Sequence, residues 1–240
     1  MAEKILVVTG PTATGKTALS VELAKKLGGE IVSADSMQIY RGMDIGTAKP
    51  TEAEMCGVPH HMIDIVAPSE DYSCGRYADE AAKVIKDIAS RGALPIVCGG
   101  TGLYLDSLIT ATEHADAPSD PAMREELLAR DAQSLHDELS EIDAESAAAI
   151  HPNNKRRGAR AIEIYRITGR TKSEWDRRSH DTPSPYDASV VALGYLDREL
   201  LYRRIRMRVD EMFDRGLCDE VCSLDLDPDS TAAAAIGYKE

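Results

Sequence analysis

The apolar run "ILVV" at Ile5–Val8 is followed at Gly10 by "GPTATGKT" and then by the helical pattern "KTALSVELAKKLG", closed by Gly28 and Gly29. A short buried strand, a glycine-rich turn and a helix, in that order, constrain this chain more than any other feature. Gly10, Gly15, Lys16 and Thr17 match G-x-x-x-x-G-K-[ST]. The glycines of such a loop let the backbone wrap round an anion with its N–H groups turned inward, and the helix start adds partial positive charge. Thr12, Ala13 and Thr14 supply the intervening amides. Lys16 is placed to reach terminal phosphate oxygens, and the Thr17 hydroxyl to ligate Mg²⁺. The loop alone leaves open whether its phosphate is transferred, hydrolysed or expelled.

The same grammar continues. "EIVSADS" reads as a second strand ending at Asp35 and Ser36, and "YADEAAKVIKDIASRG" carries Ala81, Val84, Ile85 and Ile88 at helical spacing before a stop at Gly92. "ALPIVCGG" is a buried strand opening into "GGTGLYLDSLI". Alternating strands and helices predict an α/β fold, a P-loop NTPase-like parallel sheet flanked by helices. Ligands of such sheets bind beyond the carboxyl ends of the strands, where Asp35 and Thr101 would join the glycine-rich turn.

From about Thr112 to Pro185 the strands give way to at least three helical stretches. "ASVVALGYL" returns to a strand, and "DRELLYRRIRMRVDEMFDRGLCDEVCSL" reads as one long helix with a break at Gly216. The expected organisation is a core over residues 1–112, a helical insertion over 113–185 and the second part of the core over 186–240. The last stretch, "TAAAAIGYKE", reads as the start of a helix or its entry turn, without a cap or closing apolar turn, so a shortened chain is expected.

A formal charge of -13 over 240 residues would on average repel nucleic acid and membranes. The distribution is uneven. Residues 111–150 carry 11 acidic and 2 basic side chains, whereas residues 151–180 carry 9 basic and 3 acidic ones. An acidic protein with one such basic element can still face a polyanion. No apolar run has membrane length, and "MAEKILVV" lacks the core of a signal peptide. The five cysteines lack paired ligand spacing and read as buried thiols of a reducing compartment, so a cytoplasmic chain is expected. His60 and His61 are read as packing and capping residues, not as a metal pair.

Asp35, at a strand end near a phosphate loop, has three possible roles: base, metal relay through water, or helix cap. Gln38 can read a base edge through its amide or be an ordinary surface amide. Thr101 can point its hydroxyl into the crevice or cap the following helix. In "HPNNKRRGARAIEIYRITGR", Asn153 or Asn154 caps a helix on which Arg156 and Arg160 share one face, while Ile162 and Tyr165 face the core. These cations are either a solvated face or contacts to a phosphate backbone. Arg204 and Arg208 of the later helix, four apart, can reach the phosphate loop or an RNA backbone.

Motor and switch NTPases usually follow an apolar strand with a carboxylate that holds Mg²⁺, but "ALPIVCGG" ends in glycine. A small-metabolite or nucleoside kinase stays open, although such an enzyme has no need of a basic helical insertion. A non-catalytic RNA-binding remnant is a third reading.

Taken together, "GPTATGKT", "SADSMQIYRGMDIGTAKP", "HHMID", "YADEA", "GGTGLYLDSL", "HPNNKRRGARAIEIYRITGR" and "AIGYKE" resemble the tRNA dimethylallyltransferase (isopentenyl-tRNA transferase) family over nearly the whole chain. The resemblance implies transfer of a dimethylallyl group from dimethylallyl diphosphate to N6 of the adenosine 3′ of the anticodon, at position 37 in tRNAs reading codons that start with U. The phosphate loop would then hold a leaving group. Asp35, Thr101 and Lys16 are implied as catalytic residues. Gly10, Thr12 to Thr17 and an arginine matched to Arg204 or Arg206 would bind diphosphate with Mg²⁺ at Thr17. Asp35, Ser36, Met37, Gln38, Thr101, Arg124, Arg156, Arg157 and Arg160 would contact the tRNA anticodon stem-loop. The resemblance also implies further C-terminal helices that are absent here. A monomer with no membrane partner is expected.

Overall fold

A computed structural model describes residues 2–110, 119–228 and 230–239, apart from the side chains of His180 and Asp181. Its elements run β1 (Glu3–Thr9), α1 (Lys16–Leu27), β2 (Gly29–Ser33), α2 (Glu52–Met55), β3 (His60–His61), α3 (Cys74–Ser90), β4 (Leu94–Gly99) and α4 (Gly102–Ile109). There follow α5 (Pro121–Ala129), α6 (Ala132–Ile142), α7 (Ala144–Ala149), α8 (Lys155–Thr168), α9 (Lys172–Asp181), β5 (Tyr186–Ala192), α10 (Arg198–Asp214) and α11 (Leu217–Ser223). Contacts divide the chain into two compact units, Met1–Ile109 with Ser184–Glu240, and Thr110–Pro183. The boundary expected between residues 112 and 113 lies outside the described residues.

In the first unit the five strands form one parallel sheet in the order β3-β2-β4-β1-β5. Val8, Ile31 and Ile96 pack with Val21 and Ala24 of α1, whereas Val7, Val32 and Val97 pack with Tyr77, Ala81, Ile85 and Ile88 of α3. Burial on both faces explains why these strands read as continuous apolar runs. Parallel register, with Thr9 opposite Gly99 and Ser33 opposite Cys98, brings the carboxyl ends of β1, β4 and β2 level. β4 and β2 then close on each other: a Cβ on Gly99 would lie 2.1 Å from the Ala34 carbonyl oxygen.

Two features depart from the expectations. β3 is a two-residue strand whose His61 Nε2 lies 2.7 Å from Glu30 Oε2, so His61 belongs to an edge ion cluster completed by Arg91. Cys56, Cys218 and Cys222 are exposed, contrary to the buried-thiol reading, because each sits on a polar face of a short helix or its cap. The helix break at Gly216 is present, with φ 93° between α10 and α11. Among the described residues no helix is long and apolar enough to cross a membrane.

The described residues of the second unit form five helices. Leu135 and Leu139 of α6, one turn apart, pack against Ala159 and Ile162 of α8 and Leu127 of α5. Capping fixes where the helices start: Asp131 accepts from the Gln133 and Ser134 amides, Asn154 from Arg157, and Asp143 from both Ser146 and the distant Ser173. Glu163, fully buried, takes hydrogen bonds from Arg124, Arg160 and the Asp120 amide. Burial pushes its carboxyl pKa up, and these bonds outweigh it to leave the pKa below the ordinary value. Tyr165 is exposed at 37 %, not core as its spacing suggested, because the buried face of α8 runs through Ala161, Ile162 and Ile164.

Gly99→Ala is expected to destabilise the first unit by about 1–3 kcal/mol, since backbone on both sides must yield; urea unfolding measures it, and an unchanged midpoint would contradict the close packing. The Arg91 guanidinium, and secondarily His61, holds the Glu30 carboxyl at about 2, well below its ordinary 4.5. A carboxyl with a depressed folded pKa stabilises the fold above its unfolded pKa and loses that contribution as pH falls towards the folded one. Stability should therefore fall between about pH 4.5 and pH 2, and Glu30→Gln should flatten that part of the curve.

Candidate active site

The phosphate loop leaves β1 at Thr9 and enters α1 at Lys16. Gly15 takes the N-cap position with φ 87°, and no side chain caps the helix. The first-turn amides of α1 are thus left to whatever occupies the loop. Gly10 has φ 143°, and a Cβ there would meet the Leu193 carbonyl oxygen at 2.3 Å, so glycine is required twice over. Lys16 Nζ donates to the Pro11 carbonyl at 2.7 Å. Burial lowers its pKa, with the Cys98 thiol and the Asp35 carboxylate acting in the opposite sense.

A cavity of about 640 Å³ opens over this loop. Residues 10–18 line it from one side, Asp35, Gln38, Thr47 and Ala48 from another, Gly100 and Thr101 from the turn after β4, and Arg204, Arg208, Met212 and Arg215 from α10 and its C-cap. Asp35 Oδ1 accepts from the Met37 amide at 2.9 Å and the Gln38 amide at 3.4 Å. Among the described residues Oδ2 takes no hydrogen bond. One oxygen caps a turn, where the structural reading expected a helix cap, and the other is available to a ligand. The Thr101 hydroxyl accepts from the Ser36 amide at 3.1 Å, so it braces the Asp35 turn instead of capping α4.

Several expected contacts fall elsewhere. Gln38 lines the cavity, but its amide nitrogen donates to the Thr47 and Ala48 carbonyls, both at 3.3 Å, and its oxygen accepts from Ser33. Both ends are engaged, which leaves little to read a base edge. Ser36 is bonded to Thr101 and Met37 packs against the core, and neither lines the cavity. Arg204 Nε donates to the Ala13 carbonyl at 3.0 Å and Arg208 to Thr12 Oγ1 at 2.9 Å. Arg206, two residues on, projects from another side of α10 and does not line the cavity; the residue to join Arg204 is Arg208, whose pKa burial lowers.

In the second unit Arg124 and Arg160 are tied to Glu163, whereas Arg156 and Arg157 are exposed and their guanidinium groups make no hydrogen bond or ion pair among the described residues. Met212 and Arg215 went unnoticed in the sequence, although they follow Arg208 at four and seven residues, the spacing of one helical face. Thr47 and Ala48 lie within the quoted "DIGTAKP" but carry no chemical signal.

Residues 38–240 match the family model described as IPP transferase, and residues 3–67 match one described as isopentenyl transferase. The chain belongs to the IPP transferase family. It is 50% identical to a tRNA dimethylallyltransferase of Halalkalibacterium halodurans and 52% identical to that of Geobacillus thermodenitrificans, in each case over 100% of this chain and 78% of the relative. Among solved structures, the full-length tRNA isopentenylpyrophosphate transferase of Bacillus halodurans has a TM-score of 0.68 at 47% identity, over 99% of this chain and 75% of that one. A eukaryotic dimethylallyltransferase acting on tRNA has a TM-score of 0.85 at 33% identity, over 99% and 62%.

The cavity is expected to bind inorganic diphosphate, measurable by calorimetry. Lys16→Ala should weaken that binding about 10- to 100-fold, the loss of a hydrogen bond to a charged group. Arg206→Ala should leave it within about twofold, since that side chain lies outside the cavity. Equal losses in the two variants would contradict the assignment of faces on α10.

Proposed function

We propose that this IPP transferase moves the dimethylallyl group of dimethylallyl diphosphate to N6 of the adenosine at position 37, 3′ of the anticodon, in tRNAs reading codons that start with U. The observation that carries this reading is one cavity with the phosphate loop and Lys16 on one wall and a free carboxylate oxygen of Asp35 on another. N6 attacks the allylic carbon, the carbon–oxygen bond breaks, and diphosphate leaves with the bonding pair. N6 gives up its proton to Asp35 as the new bond forms. The exocyclic amine is a weak nucleophile because its lone pair is spread into the ring, and a positioned base relieves the positive charge that develops on attack.

The amides of residues 12–17 and the Lys16 ammonium stabilise charge on the departing diphosphate. Arg204 and Arg208 brace the loop through Ala13 and Thr12 and add positive potential to its rim. Thr101 holds the Asp35 turn beside the adenine. Mg²⁺ prefers oxygen ligands and retains several waters. The donor set fits: the Thr17 hydroxyl and the Asp35 carboxylate, both oxygen donors, line the same cavity. Bound there, Mg²⁺ would supply neutralisation of diphosphate charge.

Adenine must leave its stack to reach the cavity, which is cheaper in a loop than in a duplex. The helical unit, read as the tRNA-binding insertion of 113–185, offers Arg156 and Arg157 to the RNA backbone, with Arg124 and Arg160 serving Glu163 first. A tRNA substrate is in keeping with a cytoplasmic location.

Unmodified tRNA, radiolabelled dimethylallyl diphosphate and Mg²⁺ test the reading directly. Label should pass to RNA, and Asp35→Ala should slow the transfer by about 10²- to 10⁴-fold, the usual contribution of a positioned base. Phosphorylation of a small acceptor by ATP without prenyl transfer would replace this reading with a kinase. RNA binding without either activity would leave only the remnant.

A further inference from the structure

Glu220, on α11, lies far in sequence from the loop it binds. Its Oε2 accepts from the Asp44 amide at 3.0 Å and the Ile45 amide at 2.7 Å, and its Oε1 accepts from the Gly46 amide at 3.1 Å and from the Tyr238 hydroxyl. Three consecutive backbone donors converge on one carboxylate, an anion-binding nest filled by the protein's own side chain. Tyr238 also fills the space where a side chain at position 46 would be: a Cβ on Gly46 would come within 2.4 Å of its ring. The loop needs such restraint. Ala48 sits at φ 46°, a left-handed conformation that costs a non-glycine residue about 1–2 kcal/mol.

This loop reaches the reaction through Gln38. The carbonyls of Thr47 and Ala48 hold the Gln38 side-chain nitrogen, the Gln38 backbone amide bonds Asp35 Oδ1, and Thr47 and Ala48 also form cavity wall. Lys49, buried, anchors the same loop to the Tyr40 carbonyl and to Asp44 and Asp64. The chain of contacts thus runs from Tyr238 and Glu220 through residues 44–48 and Gln38 to the proposed base. It leaves the phosphate loop aside.

We propose that Glu220 and Tyr238 are positioning residues for prenyl transfer, setting the orientation of Asp35 and the wall at Thr47 and Ala48 from the C-terminal side of the core. The proposal rests on the function given above and predicts a division of effects. Weakening the nest lets the Gln38 amide drift from Asp35 Oδ1 and the carboxylate lose its fixed orientation, which lowers kcat. Diphosphate binding, the work of another element, is untouched.

The test compares Glu220→Gln and Tyr238→Phe with the unmodified chain, measuring kcat, KM for dimethylallyl diphosphate and calorimetric affinity for inorganic diphosphate. Glu220→Gln is expected to lower kcat about 10- to 100-fold, on the scale of lost precision in a catalytic geometry. KM and diphosphate affinity should stay within about twofold. Tyr238→Phe, which keeps the ring against Gly46, should show the same pattern more weakly and stands in if the first variant fails to fold. Unchanged kcat, or loss of diphosphate affinity in step with kcat, would overturn the proposal. Absence of transfer by the unmodified chain would overturn the parent reading instead.

Discussion

Gly99 ends β4 with its α-carbon against the Ala34 backbone, and the two segments are joined by bonds from the Ala34 amide to the Cys98 carbonyl and from the Thr101 amide to the Ala34 carbonyl. A side chain at position 99 would force them apart. Because they touch, the turn carrying Asp35 and the turn carrying Thr101 are a single rigid object. β1 lies on the other side of β4, and Gly100 passes close to both the Gly10 carbonyl and the end of Lys16. Three strands that end level thus deliver anion cradle, carboxylate and hydroxyl to one place without any of the loops needing to be long.

The cradle is held in shape by the protein's own groups. Lys16 rests on the Pro11 carbonyl, Thr14 bonds the same oxygen, and Arg204 and Arg208 hold Ala13 and Thr12. Donors already aimed at the place where charge accumulates need not reorganise as the bond breaks, which is where electrostatic stabilisation is most effective. The partly buried lysine also gains more from an incoming anion than an exposed one would, because low surrounding polarity strengthens the attraction.

Much of this was legible in the sequence. Glycine spacing, an apolar run before it and a helix after it fix the phosphate loop, and Asp35 and Thr101 follow from parallel strands ending together. Other features were hidden for identifiable reasons. β3 is two residues long and exists only because His60 and His61 pair with Ile31 and Val32. Helical spacing sets Arg204 and Arg208 on one face of α10 and Arg206 on another, but does not tell which face looks towards the phosphate loop. Gln38 looked like a reader of bases because its partners, the carbonyls of residues 47 and 48, have no side-chain signature. Arg124 and Arg160 looked available because nothing in their neighbourhood announces that Glu163 is buried.

That buried glutamate bears on the basic segment as a whole. Of the cations in residues 151–180, Arg160 serves Glu163, Arg166 serves Glu138, Arg177 faces Glu145, Lys172 faces Asp176 and Lys155 holds the Leu128 carbonyl. Each phosphate that a protein neutralises releases condensed counterions and steepens the ionic-strength dependence of binding by roughly 0.7–0.9 in log–log slope. Cations committed to internal carboxylates contribute little to that release. Polyanion association by this unit would therefore respond to salt as a surface of few effective charges does, far more gently than its residue count implies.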